Sequence, residues 1–247
     1  MEPDTAIGGF ASGFPNTEHS AVVRAGSPDR EERVRALETI LAAYWKPVYK
    51  HLRIRRRLTN EDAKDLTQAF FASLIEKDWM RSFSPERGTF RTFLRTCVDH
   101  FAANQQEAAQ AAKRMPTFPL VPLDTAAAER ELAAEPGLAN PDEAFRQEWI
   151  RTLLELAVDR LRRQAQTHGR EAAFRAWQRY DLQDKEDRPT YAGIALELGT
   201  TPANVTNWIA AMRRDFRSTL LAALRELTAS DREFEAEAAA LFGMRTP

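Results

Sequence analysis

The chain has 247 residues, 43% apolar and 29% charged, which is the balance of a folded globular protein and excludes disordered and fibrous classes. No stretch approaches the ~18 consecutive apolar residues of a membrane span, and Met1-Glu2-Pro3-Asp4 lacks the basic start and apolar core of a secretory signal. The single cysteine, Cys97, excludes an internal disulfide framework and fits a reducing compartment, so a cytoplasmic location with no membrane partner is expected. Net charge is −1, yet it is unevenly spread: residues 1–114 and 149–228 are each +3, residues 115–148 are −5 and residues 229–247 are −2. Two mildly basic blocks are separated by an acidic one, which hints at anionic partners for the blocks.

In chain order, the first block reads as helical. From Glu31, Val34, Leu37, Ile40, Leu41, Tyr44 and Trp45 recur at three- and four-residue spacing. Asn60 is the expected N-cap of a second helix from Glu61 to about Lys77, with acidic residues in its first turn. Ser84-Pro85-Glu86-Arg87-Gly88 predicts a turn, and a third helix follows through Phe90, Phe93, Leu94, Val98 and Phe101. Five of the thirteen prolines lie between Pro116 and Pro141, so that acidic stretch reads as a linker, with a short helix in the Ala/Glu run from Asp124 to Glu135. In the second block Trp149, Ile150, Leu153, Leu154, Ala157, Val158 and Leu161 form another amphipathic stripe. Alternating strand patterns are hardly visible. The expectation is an all-α fold of two domains on a tether.

Residues 190–216 carry the most specific pattern. Ile194, Ala195 and Leu198 line a short helix, Gly199 is suited to a left-handed C-cap, and Thr201-Pro202 restarts a helix continued by Val205, Ile209, Met212 and Phe216. This is the helix-turn-helix pattern, whose second helix enters the DNA major groove. A helical hairpin packed in a bundle gives the same periodicity. Favouring DNA are Thr201, Ala203, Asn204, Thr206 and Asn207 at the groove end, with Arg213, Arg214 and Arg217 further along. In the first block, residues 70–101 hold seven aromatics, most of them suited to a core. Trp79 and Phe83 lie near Arg81, Arg87, Arg91 and Arg95, and aromatic rings interleaved with arginine suit unstacked single-stranded DNA.

Three segments taken together resemble the extracytoplasmic-function type of RNA polymerase sigma factor. They are Asp62-Ala63-Lys64-Asp65-Leu66-Thr67-Gln68-Ala69-Phe70-Phe71, then Arg87-Gly88-Thr89-Phe90-Arg91-Thr92-Phe93-Leu94, then the helix-turn-helix. Phe14-Pro15-Asn16-Thr17 and Ala43-Tyr44-Trp45 are similar to a bacterial subgroup with somewhat long chains. The resemblance covers roughly residues 14–228 and implies an organisation along the chain: an N-terminal extension (1–25), a sigma region-two-like helical domain (26–114), a linker (115–147), a sigma region-four-like helix-turn-helix domain (148–228) and an acidic tail (229–247).

What the resemblance implies falls on named residues. The 62–71 helix matches the segment that docks on the polymerase clamp, making Asp62, Asp65, Gln68 and Phe71 the polymerase-binding candidates, with a solvated acidic first turn as the plain alternative. Residues 81–104 match the part that melts and reads the downstream promoter element. The candidates there are Trp79, Phe83, Arg87, Thr89, Arg91, Arg95, His100 and Asn104. The helix-turn-helix would read the upstream element, with Asn204, Thr206 and Asn207 nearest base edges, asparagine being suited to adenine. The chain departs from the family at Lys64, where an acid is frequent, and at Gln105-Gln106-Glu107-Ala108-Ala109, where arginines are usual. It also departs at Trp208 and Ala211. Fewer phosphate contacts mean weaker and less salt-sensitive DNA binding, with polymerase supplying avidity.

The implied partners are core RNA polymerase and promoter DNA, with an anti-sigma factor or a kinase as regulator and no cofactor. Thr67 is the phosphorylation candidate, because phosphate would restore negative charge beside Lys64. The four histidines, His19, His51, His100 and His168, are scattered, and no nucleophile elbow or kinase signature is present, so no enzymatic activity is expected. Two other readings stay open: a helix-turn-helix regulator without polymerase docking, and a degenerate sigma-like interaction protein. Arg53-Ile54-Arg55-Arg56-Arg57 suits either DNA or polymerase or a solvated helix end. The tail from Asp231 to Phe242 suits either a frayed solvated helix or one folded over a basic domain and inhibiting it.

Overall fold

The structure, a computed structural model, describes residues 20–104, 123–134 and 140–242. The Phe14–Thr17 motif, the Gln105–Ala109 departure and most of the proline-rich stretch lie outside the described residues. All regular structure among the described residues is helical: α1 (Ala21–Arg24), α2 (Arg30–Arg56), α3 (Asn60–Glu76), α4 (Phe90–Ala103), α5 (Thr125–Ala134), α6 (Pro141–Thr167), α7 (Glu171–Asp181), α8 (Tyr191–Glu197), α9 (Pro202–Glu226) and α10 (Asp231–Phe242). Short 3-10 turns at Trp79–Ser82 and Pro85–Arg87 join α3 to α4. No helix among the described residues is long and apolar enough to cross a membrane.

Short polar residues set the helix starts. Asp29, Thr59, Thr89, Asn140 and Thr201 each sit in extended backbone and accept a hydrogen bond from an amide in the first turn of α2, α3, α4, α6 and α9. The cap of α3 is Thr59 rather than the expected Asn60. Two capping residues stand side by side there, and the hydroxyl of Thr59 reaches the Asp62 amide at 3.2 Å.

Among the described residues the helices enclose two large cores, beside a small cluster of Tyr49, Ala63 and Ala128. The first gathers Leu37, Ile40, Tyr44, Val48 and Leu52 of α2, Phe70, Phe71 and Leu74 of α3, and Phe90, Leu94, Val98 and Phe101 of α4. The same cluster contains Phe145, Trp149, Leu153 and Ala157 of α6, Leu220 and Leu224 of α9, and Phe234 and Ala238 of α10. The second core holds Leu161 and Ala165 of α6, Phe174 and Trp177 of α7, Ile194 and Ala195 of α8, and Val205, Ile209 and Met212 of α9. Thus α6 (27 residues) and α9 (25 residues), each about 40 Å long, run through both.

This packing differs from two bodies on a tether. Trp149 is 1% exposed and stacks on Tyr44 of α2 at 6.3 Å between ring centroids, so the second block completes the first block's core. Burial of each such side chain is worth about 1.5–3 kcal/mol, which holds α6 against α2. Periodicity shows that a helix has an apolar face but not which face it meets. The acidic segment between the blocks also joins the fold. Its helix α5 forms where the Ala/Glu run predicts one, and its carboxylates pair with α2: Glu129 with Arg53 at 2.6 Å, Glu131 with Lys46 at 2.8 Å and with Lys50 at 2.6 Å. Glu148 and Glu155 of α6 and Arg151 complete a balanced six-charge cluster around the buried Lys46 and Lys50. Burial opposes the charge on Lys46, but Glu131, Glu155 and Glu148 outweigh it and raise its pKa.

Candidate nucleic-acid interface

The strand-reading candidates fall at two places, the N-terminal end of α9 and the N-terminal end of α4. At α9 the local geometry follows from three residues. Gly199 takes φ +63°, a left-handed conformation that ends α8, and its amide bonds to the Leu196 carbonyl. Thr201 then caps α9, accepting from the Asn204 amide at 3.2 Å, and Pro202 occupies the first turn, where its missing N–H leaves nothing unsatisfied. Val205, Ile209 and Met212 turn into the second core, which rotates Thr201, Ala203, Asn204, Thr206 and Asn207 outward, all exposed.

The side chains at this end are partly ordered by the backbone beneath them. The Asn204 amide donates to Thr200 Oγ1 at 3.0 Å, and Thr206 Oγ1 donates to the Pro202 carbonyl at 3.0 Å. Asn207 makes no side-chain hydrogen bond among the described residues. Of the three candidate arginines on α9, Arg213 forms a two-point pair with Asp181 at 2.7 Å and lies 5.7 Å from the Tyr180 ring centroid. That pairing raises its pKa further. Arg217 stacks on Phe242 at 4.8 Å. Arg214 is exposed and unpaired among the described residues. Trp208 and Phe216 are partly buried against the second core, so the tryptophan that departs from the family pattern has a packing task.

At α4 the arrangement is the opposite. Thr89 caps the helix by accepting from the Thr92 amide, and its half-buried hydroxyl is thereby used. The Phe90 amide, one of the first-turn donors with no partner inside its own helix, donates to Glu233 of α10 at 2.7 Å. Arg91 pairs with Glu237 of α10 at 2.7 Å and lies 5.0 Å from the Trp149 ring centroid. Arg95 pairs with Asp142 at the start of α6 at 2.6 Å and with Asp99 at 3.6 Å. The two inner arginines are therefore occupied by the chain's own carboxylates. Trp79 packs against Phe70 and Phe101, both at 6.0 Å, and Phe83 against Phe90 and Phe93 at 5.3 and 5.2 Å; all of these rings belong to or flank the first core. Arg87, His100 and Asn104 are exposed.

On α3, Asp62 and Asp65 are exposed, one turn apart, and Gln68 is half-buried beside them. Asp62 accepts from the Thr59 hydroxyl at 2.7 Å, so it also closes the first turn. Phe71, grouped with them by resemblance, is 2% exposed and packs edge-on to Phe70 at 5.1 Å; it supports the helix from inside rather than offering a contact. Thr67 is fully buried and its hydroxyl donates to the Ala63 carbonyl at 2.7 Å, which corrects its reading as a phosphorylation site: no kinase reaches it in this fold. The Arg53–Arg57 cluster is largely engaged. Arg53 holds Glu129, Arg55 holds Asp99 at 2.9 Å, and Arg56 donates to the Asp99 carbonyl at 3.3 Å.

Sequence reasoning missed Asp142, Asp181, Glu233 and Glu237 as partners of the arginines. The one readable signal was the spacing of Glu233 and Glu237, four residues apart on the same face as Phe234 and Ala238. No group of three or more histidine, cysteine, aspartate or glutamate side chains among the described residues is placed to hold a metal ion. Comparison with protein-family models, with curated proteins and with solved structures finds no match to this chain.

Proposed function

We propose that this chain is a bacterial transcription initiation factor of the extracytoplasmic-function sigma type, which docks on core RNA polymerase and directs it to promoters. The observation that carries the reading is the α8–α9 helix-turn-helix. Its second helix presents a polar end with Asn204, Thr206 and Asn207 outward and the unpaired Arg214 further along the helix. Such an end fits the major groove, where asparagine and threonine meet base edges and arginine meets phosphate. The exposed Asp62 and Asp65 on α3 supply the acidic face by which the chain would engage the polymerase.

In this reading α9 contacts the upstream element, and the Arg87, Arg91, Arg95, Trp79 and Phe83 end contacts the downstream element once its own carboxylates release it. That occupied state of Arg91 and Arg95 is also what favours the second reading, a regulator that binds DNA through α9 alone. Co-purification of the tagged full chain with core RNA polymerase, beside an Asp62→Arg/Asp65→Arg variant, separates them. Polymerase retained by the wild type and lost by the variant is the expected result. If neither form brings down polymerase while α9 still binds duplex DNA, the chain is a free-standing regulator.

A further inference from the structure

We infer that α10 is a built-in competitor for nucleic acid, seated on the very side chains that the proposed promoter contacts require; the inference rests on that functional reading for the identity of the displaced ligand. The helix has twelve residues and closes on both candidate surfaces at once. On the α4 side, Glu233 Oε1 accepts the Phe90 amide at 2.7 Å and Glu237 holds Arg91 at 2.7 Å. On the α9 side, Phe242 lies under the Arg217 guanidinium at 4.8 Å. A carboxylate on a first-turn amide and on an arginine occupies the positions where a phosphate oxygen would bind. An aromatic ring under a guanidinium stands where a base would stack.

The chemistry of the buried face argues against a purely structural role. Glu233 and Glu237 are each 7% exposed, and they sit among Phe234 and Ala238, where apolar side chains would pack without desolvating a charge. Among the described residues the two carboxylates take their hydrogen bonds from the Phe90 amide and Arg91, which α10 covers, and from the Ala229 amide, which closes back on Glu233 at 2.9 Å. The helix is held to α9 by Arg225, which pairs with Asp231 at 2.6 Å and lies 4.1 Å from the Phe234 ring centroid. Its attachment thus combines the buried Phe234 and Ala238 with ionic contacts to Arg91 and Arg225, and a polyanion competes directly for the ionic part.

The test uses the full chain and a short fluorescein-labelled single-stranded oligodeoxynucleotide, read by anisotropy at low salt. Glu237→Gln should bind about tenfold tighter than wild type, as expected when a competent state is released from an internal ligand. Glu235→Gln makes the same charge change on the exposed face of α10 and should bind as wild type does. Phe234→Ser/Phe242→Ser, which loosens the helix while keeping every carboxylate, should also gain affinity, with helicity checked by circular dichroism. Adding Arg91→Ala to Glu237→Gln should cancel the gain. Equal gains from Glu235→Gln and Glu237→Gln, or no gain from either Glu237→Gln or the double phenylalanine variant, overturn the proposal. Polymerase co-purification is scored in parallel. Tighter oligonucleotide binding without polymerase retains the competitor and removes the initiation-factor reading; retained polymerase with unchanged oligonucleotide binding does the reverse.

Discussion

The N-terminal ends of α4 and α9 are built from similar materials and finish differently. Each begins with a threonine cap and carries arginines along the following turns. At α9 the cap is local, the apolar side chains face one way, and Asn204, Thr206, Asn207 and Arg214 are left to the solvent. At α4 the amide of Phe90 and the guanidinium of Arg91 are both taken by carboxylates more than 140 residues away in the chain. An arginine-rich segment is therefore not by itself a free anion-binding surface. What decides is whether a remote carboxylate has already been folded onto it.

The largest expected effect falls on neither end but on the buried charge cluster of α2, α5 and α6. Lys50→Ala removes the 2.7 Å partner of Glu148, whose side chain is 4% exposed, and leaves the cluster one positive charge short; with Arg151 still on Glu148 at 2.8 Å, the cost should be about 3 kcal/mol in urea unfolding. By contrast Arg179→Ala, which removes an exposed 3.2 Å pair with Glu197 near α8, should change stability by less than about 0.5 kcal/mol. At the open end backbone conformation matters most. Gly199→Ala meets no atom within 4 Å at its Cβ, so its cost is that of the left-handed conformation alone, about 1–2 kcal/mol. Thr201→Ala, removing the cap of α9, should cost about 1 kcal/mol and raise amide exchange in the first turn of that helix.

The pH profile sharpens the comparison further, and its sign differs between carboxylates. Burial pushes Glu233 above the usual carboxylate range, the Glu237 charge adding to it, while the Ala229 and Phe90 amides and Arg91 pull the other way. A folded pKa above the unfolded one gives stability that is full in acid, below the unfolded value, and lost as pH rises through the folded value. Glu131 behaves oppositely. Burial raises it, but Lys46 and Lys50 outweigh burial and lower it, so its contribution is full above the ordinary carboxylate pKa and lost on acidification. Urea midpoints measured from pH 3 to pH 8 should show Glu233→Gln flattening the fall toward neutrality and Glu131→Gln flattening the fall in acid, within about that range of carboxylate titration. Arg214→Ala, like Arg179→Ala, should leave stability within about 0.5 kcal/mol of wild type, whereas under the proposed reading of α9 the salt dependence of duplex DNA binding should lose about one counterion.

The parts legible in the sequence were those governed by local chemistry. Gly199, Thr201 and Pro202 specify the turn and restart of the helix-turn-helix within a few residues, and the alanine and glutamate run of α5 announces a helix regardless of its surroundings. Illegible were the long-range partners. Trp149 stands on an evident apolar stripe, yet nothing in its neighbours says that it meets Tyr44. The prolines from Pro116 to Pro141 made the stretch read as a linker, and its acids gave no sign of docking because the basic groups that balance them, Lys46, Lys50 and Arg53, lie on another helix. Thr67 was the phosphorylation candidate because phosphate would restore charge beside Lys64; bonded to the carbonyl four residues back, it is buried without leaving a polar group unsatisfied. Phe71 was assigned by resemblance to a contact face, whereas its place in the periodic pattern with Phe70 and Leu74 already pointed inward.

The passage of α6 and α9 through both cores sets a rotational phase between them. Each residue of an α-helix advances the chain by about 1.5 Å and turns it by about 100°. Ala157 faces the first core and Leu161, one turn on, faces the second. A single residue inserted between them would swing every later side chain of α6 a quarter turn away from its pocket, while lengthening the helix hardly at all. Evolution of the spacing between the α4 and α9 ends is thereby quantised: change within these two helices is tolerated in whole turns, and finer adjustment falls to the loops that join the shorter helices.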